Sequence, residues 1–293
     1  MKHPIAQLVL SLSFVGLGLD GLCAQSSDVD ITPDVVYGHK SGMALTFDVY
    51  TPSQTSGAAV IWMVSGGWRS SWRPAESGVR QFRSLLDEGF TVFRVRHGSS
   101  PKFYIPEIVA DVRRSIRFIR LHAEDYSIDA DRMGVYGGSA GGHLSLMLGT
   151  ASDDGNPDAR DEVDRTSNRI AAVVAYYPPV DLRPLALGPI QQASTGSRSR
   201  FPALHFDREQ APDYSPIVHV TSDDPPTLLI HGDEDALVPL SNSTRMLAAL
   251  QEKNVATELI VIEGAGHGFR LPADRARSDK ATVDWFVKHL AKK

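Results

Sequence analysis

The segments Ala59–Val64 and Thr227–Ile230 are almost continuously apolar, yet each is only four to six residues long. Runs of this kind suit parallel strands covered on both faces, where the alternation of wet and dry sides disappears. Further β-rich runs at Asp34–Tyr37, Leu45–Tyr50, Thr91–Val95, Arg132–Tyr136, Ile170–Tyr177 and Glu258–Ile262 bring the expected strands to eight. Helical stretches alternate with them. In the clearest, Ile105, Ile108, Val109, Val112, Ile116 and Ile119 recur at steps of three and four and form one apolar stripe. Ser241–Leu250 and Asp274–Leu290 continue the pattern. Strand–helix alternation predicts an α/β architecture, a mostly parallel eight-stranded sheet flanked by helices.

Arg113, Arg114, Arg117 and Arg120 line the other side of the first helix, where a solvated charged face is expected in preference to a phosphate site. From Pro178 to Pro226 the chain is rich in Pro, Gly, Ser and Thr and shows no clean period. That is too long for an ordinary connection and predicts a small lid or lobe over the strand ends. Phe201, Leu204, Phe206, Tyr214 and Ile217 give it apolar groups with which to pack.

The 293 residues are 42% hydrophobic and 22% charged, the usage of a folded domain, with a formal net charge of −5. The acidic balance argues against nucleic acid as the partner. Beyond the first 25 residues no window is apolar for long enough to span a bilayer. Residues 1–24 read as a signal peptide: Lys2 precedes an uncharged stretch from Ile5 to Leu19, and Ala24 is a small residue at the cleavage point. A periplasmic or secreted protein is therefore expected, with residues 25–293 as a single domain. Cleavage after Ala24 removes Cys23, the only cysteine, leaving neither a disulfide nor a thiol nucleophile. Lipidation of Cys23 is the alternative.

Gly137-Gly138-Ser139-Ala140-Gly141-Gly142-His143 stands between an expected strand and an expected helix. Gly-x-Ser-x-Gly at such a junction is a nucleophile elbow: the tight turn exposes the Ser139 hydroxyl, and the flanking glycines let strand and helix approach. A dinucleotide-binding Gly-x-Gly-x-x-Gly loop also follows a strand, but Ser139 occupies its second glycine position. His143, one helical turn beyond Ser139, faces the helix body and is expected to pack.

A serine hydroxyl needs a base, and that base needs a carboxylate to hold its tautomer. Of ten histidines, His267 lies in a glycine-rich loop directly after a strand, Glu263-Gly264-Ala265-Gly266-His267-Gly268-Phe269. Asp233, Glu234 and Asp235 compete for the acid role in the loop that follows Thr227–Ile230. Val64-Ser65-Gly66-Gly67-Trp68 follows the third strand. Its glycines expose backbone N–H groups for an oxyanion hole, to which the N–H of Ala140 adds another donor.

Together these motifs resemble the α/β-hydrolase superfamily, in particular secreted carboxylesterases of the hormone-sensitive-lipase-like and feruloyl or acetyl-xylan esterase-like branches. The likeness runs from about Val36 to His289 and rests on four segments in family order: Ser65–Trp68, Gly137–His143, His231–Pro239 and Gly264–Phe269. It implies a triad of Ser139, Asp235 and His267, the acid being the Asp that precedes x-x-Val-Pro by one residue. It also implies an oxyanion hole of Gly66, Gly67 and Ala140, and metal- and cofactor-independent ester hydrolysis through an acyl-enzyme. Val64-Ser65 stands where the family usually has His-Gly, which bears on how the oxyanion loop is oriented. By the same analogy the expected substrates are small-molecule or polysaccharide-linked esters, with Trp68, and also Trp72, Phe103 and Tyr104, as candidates for the cleft wall. A prolyl-oligopeptidase-like peptidase and a non-catalytic binder on a hydrolase fold are the alternative readings.

Overall fold

The computed structural model describes residues 28–64, 66–189 and 199–292. The expected signal peptide, Cys23, Ser65 of the oxyanion loop and residues 190–198 of the insertion lie outside the described residues.

Eight strands form one sheet: β1 (Val29–Lys40), β2 (Met43–Pro52), β3 (Ala59–Met63), β4 (Thr91–Val95), β5 (Met133–Gly138), β6 (Ala172–Tyr176), β7 (Thr227–Gly232) and β8 (Thr257–Ile262). They lie in the order β1-β2-β4-β3-β5-β6-β7-β8, with β1–β2 and β2–β4 antiparallel and every later pair parallel. This is the mostly parallel, eight-stranded α/β sheet that the apolar runs imply.

Helices cover both faces. Helices α3 (Ile105–Leu121), α4 (Ala140–Thr150) and α6 (Ser241–Glu252) share one core with Ile61, Val135, Val173 and Leu229. On the opposite face Leu85 and Leu86 of α2 (Arg83–Asp87), with Phe82 between it and α1 (Ser77–Gln81), pack with Val60, Val174, Leu228 and Ile230. Trp285 and Phe286 of α7 (Pro272–His289) complete that core. Neighbouring residues of one strand thus enter different cores, which is why the strands show no polar face. Among the described residues no helix is long and apolar enough to cross a membrane.

Two expectations need correction. The first strand is twelve residues long, not the four of Asp34–Tyr37. Its pairing with β2 shifts register between Thr32 and Val35 and again between Val36 and Gly38, and Asp34 has φ 52°. Such irregularities break the period-two pattern that a sequence reading depends on.

The arginine row of α3 is not a solvated face. Loop residues 151–169, including α5 (Glu162–Arg165), fold over it. Arg113 donates to the Ala151 carbonyl; Arg114 pairs with Asp161 at 2.6 Å and Asp164 at 2.9 Å; Arg117 pairs with Asp153; and Arg120 bonds the Arg169 carbonyl. The charges serve to dock a loop.

The described part of the insertion packs against the first core. Leu204 and Phe206 are buried, and Phe201, Tyr214 and Ile217 lean on the same cluster. Ser215, fully buried, accepts from the Leu182 N–H, and the Thr150 hydroxyl donates to the Pro216 carbonyl.

Candidate active site

Four loops leave the carboxyl ends of β3, β5, β7 and β8, the edge where open α/β sheets place their sites. They carry Gly66–Trp68, Ser139, Asp235 and His267. At the turn from β5 to α4, Ser139 has φ 54° and ψ −118°, a strained conformation for a residue with a side chain. The turn is tight. A Cβ on Gly137 would lie 2.7 Å from the backbone of Gly141, so only glycine fits there. Ser139 itself is held by its N–H to the Tyr176 carbonyl at 2.9 Å.

The side chains meet across three loops. His267 Nε2 lies 3.0 Å from Ser139 Oγ, and His267 Nδ1 lies 2.7 Å from Asp235 Oδ2. Asp235 has a fully buried side chain, and its other oxygen accepts the N–H groups of Leu237 and Val238, each at 2.9 Å. His267 is 22% exposed, open enough to exchange a proton with substrate or water. Asp233 instead faces solvent and accepts the Gly264 N–H at 2.7 Å, bracing the histidine loop. Among the described residues Asp235 is thus the acid of the three that meets His267.

His231, beside Asp235, is buried and its pKa is lowered, chiefly by burial. It pairs with the Val238 carbonyl at 2.7 Å and the Ser243 hydroxyl at 2.7 Å, so it holds the acid loop as a neutral ring.

In the oxyanion loop Gly66 and Gly67 adopt φ 110° and 67°. Among the described residues the N–H groups of Gly66, Gly67 and Ala140 have no acceptor, and Ala140 opens α4, where the first turn leaves its donors unpaired. Trp68 does not line an open cleft. It is 3% exposed and packs against His143 and Phe201, with its indole N–H directed at His143. Trp72 is exposed, Phe103 is buried beneath Lys40, and Tyr104 precedes α3.

His143 is the packing residue expected of it, fully buried, with burial drawing its pKa down to about 4. Two neighbours of the site carry no sequence signature. The Tyr177 ring lies 4.6 Å from that of His267, with its own φ at 36° and burial raising its pKa to about 12. Phe201 from the insertion sits over Gly67 so closely that a Cβ there would be 2.8 Å from its ring.

The family model BD-FAE matches residues 47–250, from within β2 to the last turn of α6. The chain belongs to the BD-FAE family. The hydrolase likeness read from the four motifs therefore holds at family level. This BD-FAE chain is 25% identical over 229 residues to the probable carboxylic ester hydrolase LipM of Mycobacterium tuberculosis, covering 75% of this chain and 51% of LipM. It therefore spans about half the length of that curated relative. A solved structure described as a truncated form of a carbohydrate esterase from gut microbiota is 26% identical with a TM-score of 0.72, covering 90% of this chain and 97% of that one. An acetyl ester-xyloside bifunctional hydrolase from Caldicellulosiruptor lactoaceticus is also 26% identical with a TM-score of 0.72, covering 87% of this chain and 95% of that one.

The buried histidines give a prediction about acid. His143, His97 and His231 all have pKa values lowered chiefly by burial. In the unfolded chain each takes up a proton near pH 6.5. Below that pH the unfolded state binds more protons, so stability is full above about pH 6.5 and falls as the pH drops toward 4. A displacement the size of that at His143 is worth on the order of 3 kcal/mol. Urea midpoints at pH 7 and pH 5 check this; equal midpoints would contradict it.

Proposed function

We propose that the chain is a serine carboxylesterase acting through an acyl-enzyme. The observation that carries this is the relay through His267, 3.0 Å from the Ser139 hydroxyl on one side and 2.7 Å from the buried Asp235 on the other. With Nδ1–H held by the carboxylate, Nε2 presents its lone pair to the hydroxyl and accepts the proton as Ser139 attacks an ester carbonyl. The negative oxygen that forms is received by the N–H groups of Gly66, Gly67 and Ala140. His267 then protonates the leaving alcohol. Water, deprotonated by the same ring, releases the acid.

The substrate class follows from the similarity to a carbohydrate esterase and an acetyl ester-xyloside hydrolase, and from an N-terminal sequence typical of export. We read the protein as a periplasmic or secreted esterase removing acetyl or feruloyl groups from polysaccharides. The purified chain is expected to turn over p-nitrophenyl acetate and to release acetate from acetylated xylan. Turnover of the first without release from the second would leave the esterase standing and remove the polysaccharide assignment.

A further inference from the structure

We propose that His143 is a positioning residue that sets the oxyanion loop relative to the nucleophile, an inference that rests on the esterase reading above. Gly66, Gly67 and Trp68 are three consecutive residues with φ of 110°, 67° and 59°. Glycines adopt such values freely, but a tryptophan does not. Something outside the loop has to hold Trp68 there.

Two contacts do so. The Trp68 carbonyl accepts the Ser100 N–H at 3.1 Å, and the indole N–H donates to His143 Nδ1 at 3.3 Å. The two rings meet edge to face, 5.5 Å apart. His143 is itself fixed at both ends. Its Nε2 donates to the Tyr214 carbonyl at 2.9 Å, and its backbone N–H donates to the Ser139 carbonyl at 2.9 Å. One residue thus bonds the nucleophile through its backbone, the oxyanion loop through one ring nitrogen and the insertion through the other.

This arrangement requires a neutral ring with hydrogen on Nε2, since the indole N–H and the Tyr214 carbonyl leave no other choice of tautomer. Burial keeps the ring in that state, because its pKa of about 4 lies below neutral and mildly acidic pH. Phe201 also covers Gly67 and meets the Trp68 ring at 6.3 Å. The loop is therefore held by His143 through Trp68 and by Phe201 through Gly67 and Trp68, with no histidine of its own to orient it.

If His143 positions the oxyanion donors, its loss should weaken stabilisation of the transition state more than binding of the substrate. His143→Leu is expected to lower kcat on p-nitrophenyl acetate by about 10- to 100-fold, the cost of slightly misplaced groups, with KM changed by less than about threefold. Affinity for a trifluoromethyl ketone, which forms an oxyanion on Ser139, should fall by the same factor as kcat/KM. His143→Gln keeps an acceptor and a donor and should recover much of the loss.

Trp68→Phe removes the indole N–H together with part of the ring, keeps an aromatic side chain in place and leaves His143 intact, so it breaks the same bond from the other side and guards against a folding defect in His143→Leu. It should reproduce the loss, and the two substitutions together should cost little more than either alone. An active wild type whose His143→Leu and Trp68→Phe variants keep kcat within twofold, or lose only KM, overturns this inference alone. A wild type without esterase turnover overturns the esterase reading and this inference with it.

Discussion

Ser139→Ala is expected to lower kcat/KM on p-nitrophenyl acetate by four orders of magnitude or more, about 5.5 kcal/mol of transition-state stabilisation. The size follows from the geometry. Among the described residues the hydroxyl is the group placed to receive help from His267, whose other nitrogen is already committed to Asp235. Without Oγ the oxyanion donors still face the carbonyl, but water must attack unaided. The fold should be untouched, because the strained turn is held by the Ser139 N–H and by contacts of neighbouring glycines, not by the hydroxyl. Stability measured beside activity separates the two effects. A folded variant that keeps wild-type turnover would move the chemistry away from Ser139, while a wild type that binds esters without cleaving them would support the binding-protein alternative.

Much of this site was legible because its parts are local. Gly137, Ser139 and Gly141 declare a tight turn through residue type alone, and His267 declares itself by glycines on both sides at the end of β8. The parallel strands were legible for the same reason: each run is apolar in both directions from the sheet. What stayed hidden depends on partners far along the chain. The arginines of α3 look solvated until residues 151–169 fold over them, and β1 looks short until its bulges are paired with β2. Asp233 and Asp235 are two residues apart and alike in type; the family motif points to Asp235, while their different partners, the Gly264 N–H and His267, come from the fold. Trp68 reads as a cleft aromatic, whereas the structure uses its N–H inside the protein, against a histidine 75 residues away. Phe201 reads only as an apolar group of the insertion and Tyr177 only as a strand end; that they lie over Gly67 and against His267 comes from the surfaces they cover.

Asp235→Asn offers the sharpest test of how the acid works, because it changes charge and hydrogen count but hardly changes shape. In the protein one carboxylate oxygen accepts from Leu237 and Val238, and the other accepts from His267 Nδ1. An asparagine cannot satisfy both sides. With its oxygen kept toward the two backbone N–H groups, its NH₂ faces Nδ1 and forces the imidazole proton onto Nε2. That tautomer points N–H at Ser139 and cannot take the hydroxyl proton. Flipping the amide restores the acceptor for His267 but places NH₂ against two N–H donors in a site closed to water, at a cost of some kcal/mol. Either way kcat/KM on p-nitrophenyl acetate should drop by about 10⁴ at neutral pH, with KM little changed. Asp233→Asn supplies the contrast. Its carboxylate is exposed and bonds only the Gly264 N–H, which an amide oxygen also accepts, so activity should stay within a few-fold of wild type. The reverse order, with Asp233→Asn the more damaging, would reassign the acid. Equal small effects would mean that His267 keeps its tautomer without either carboxylate.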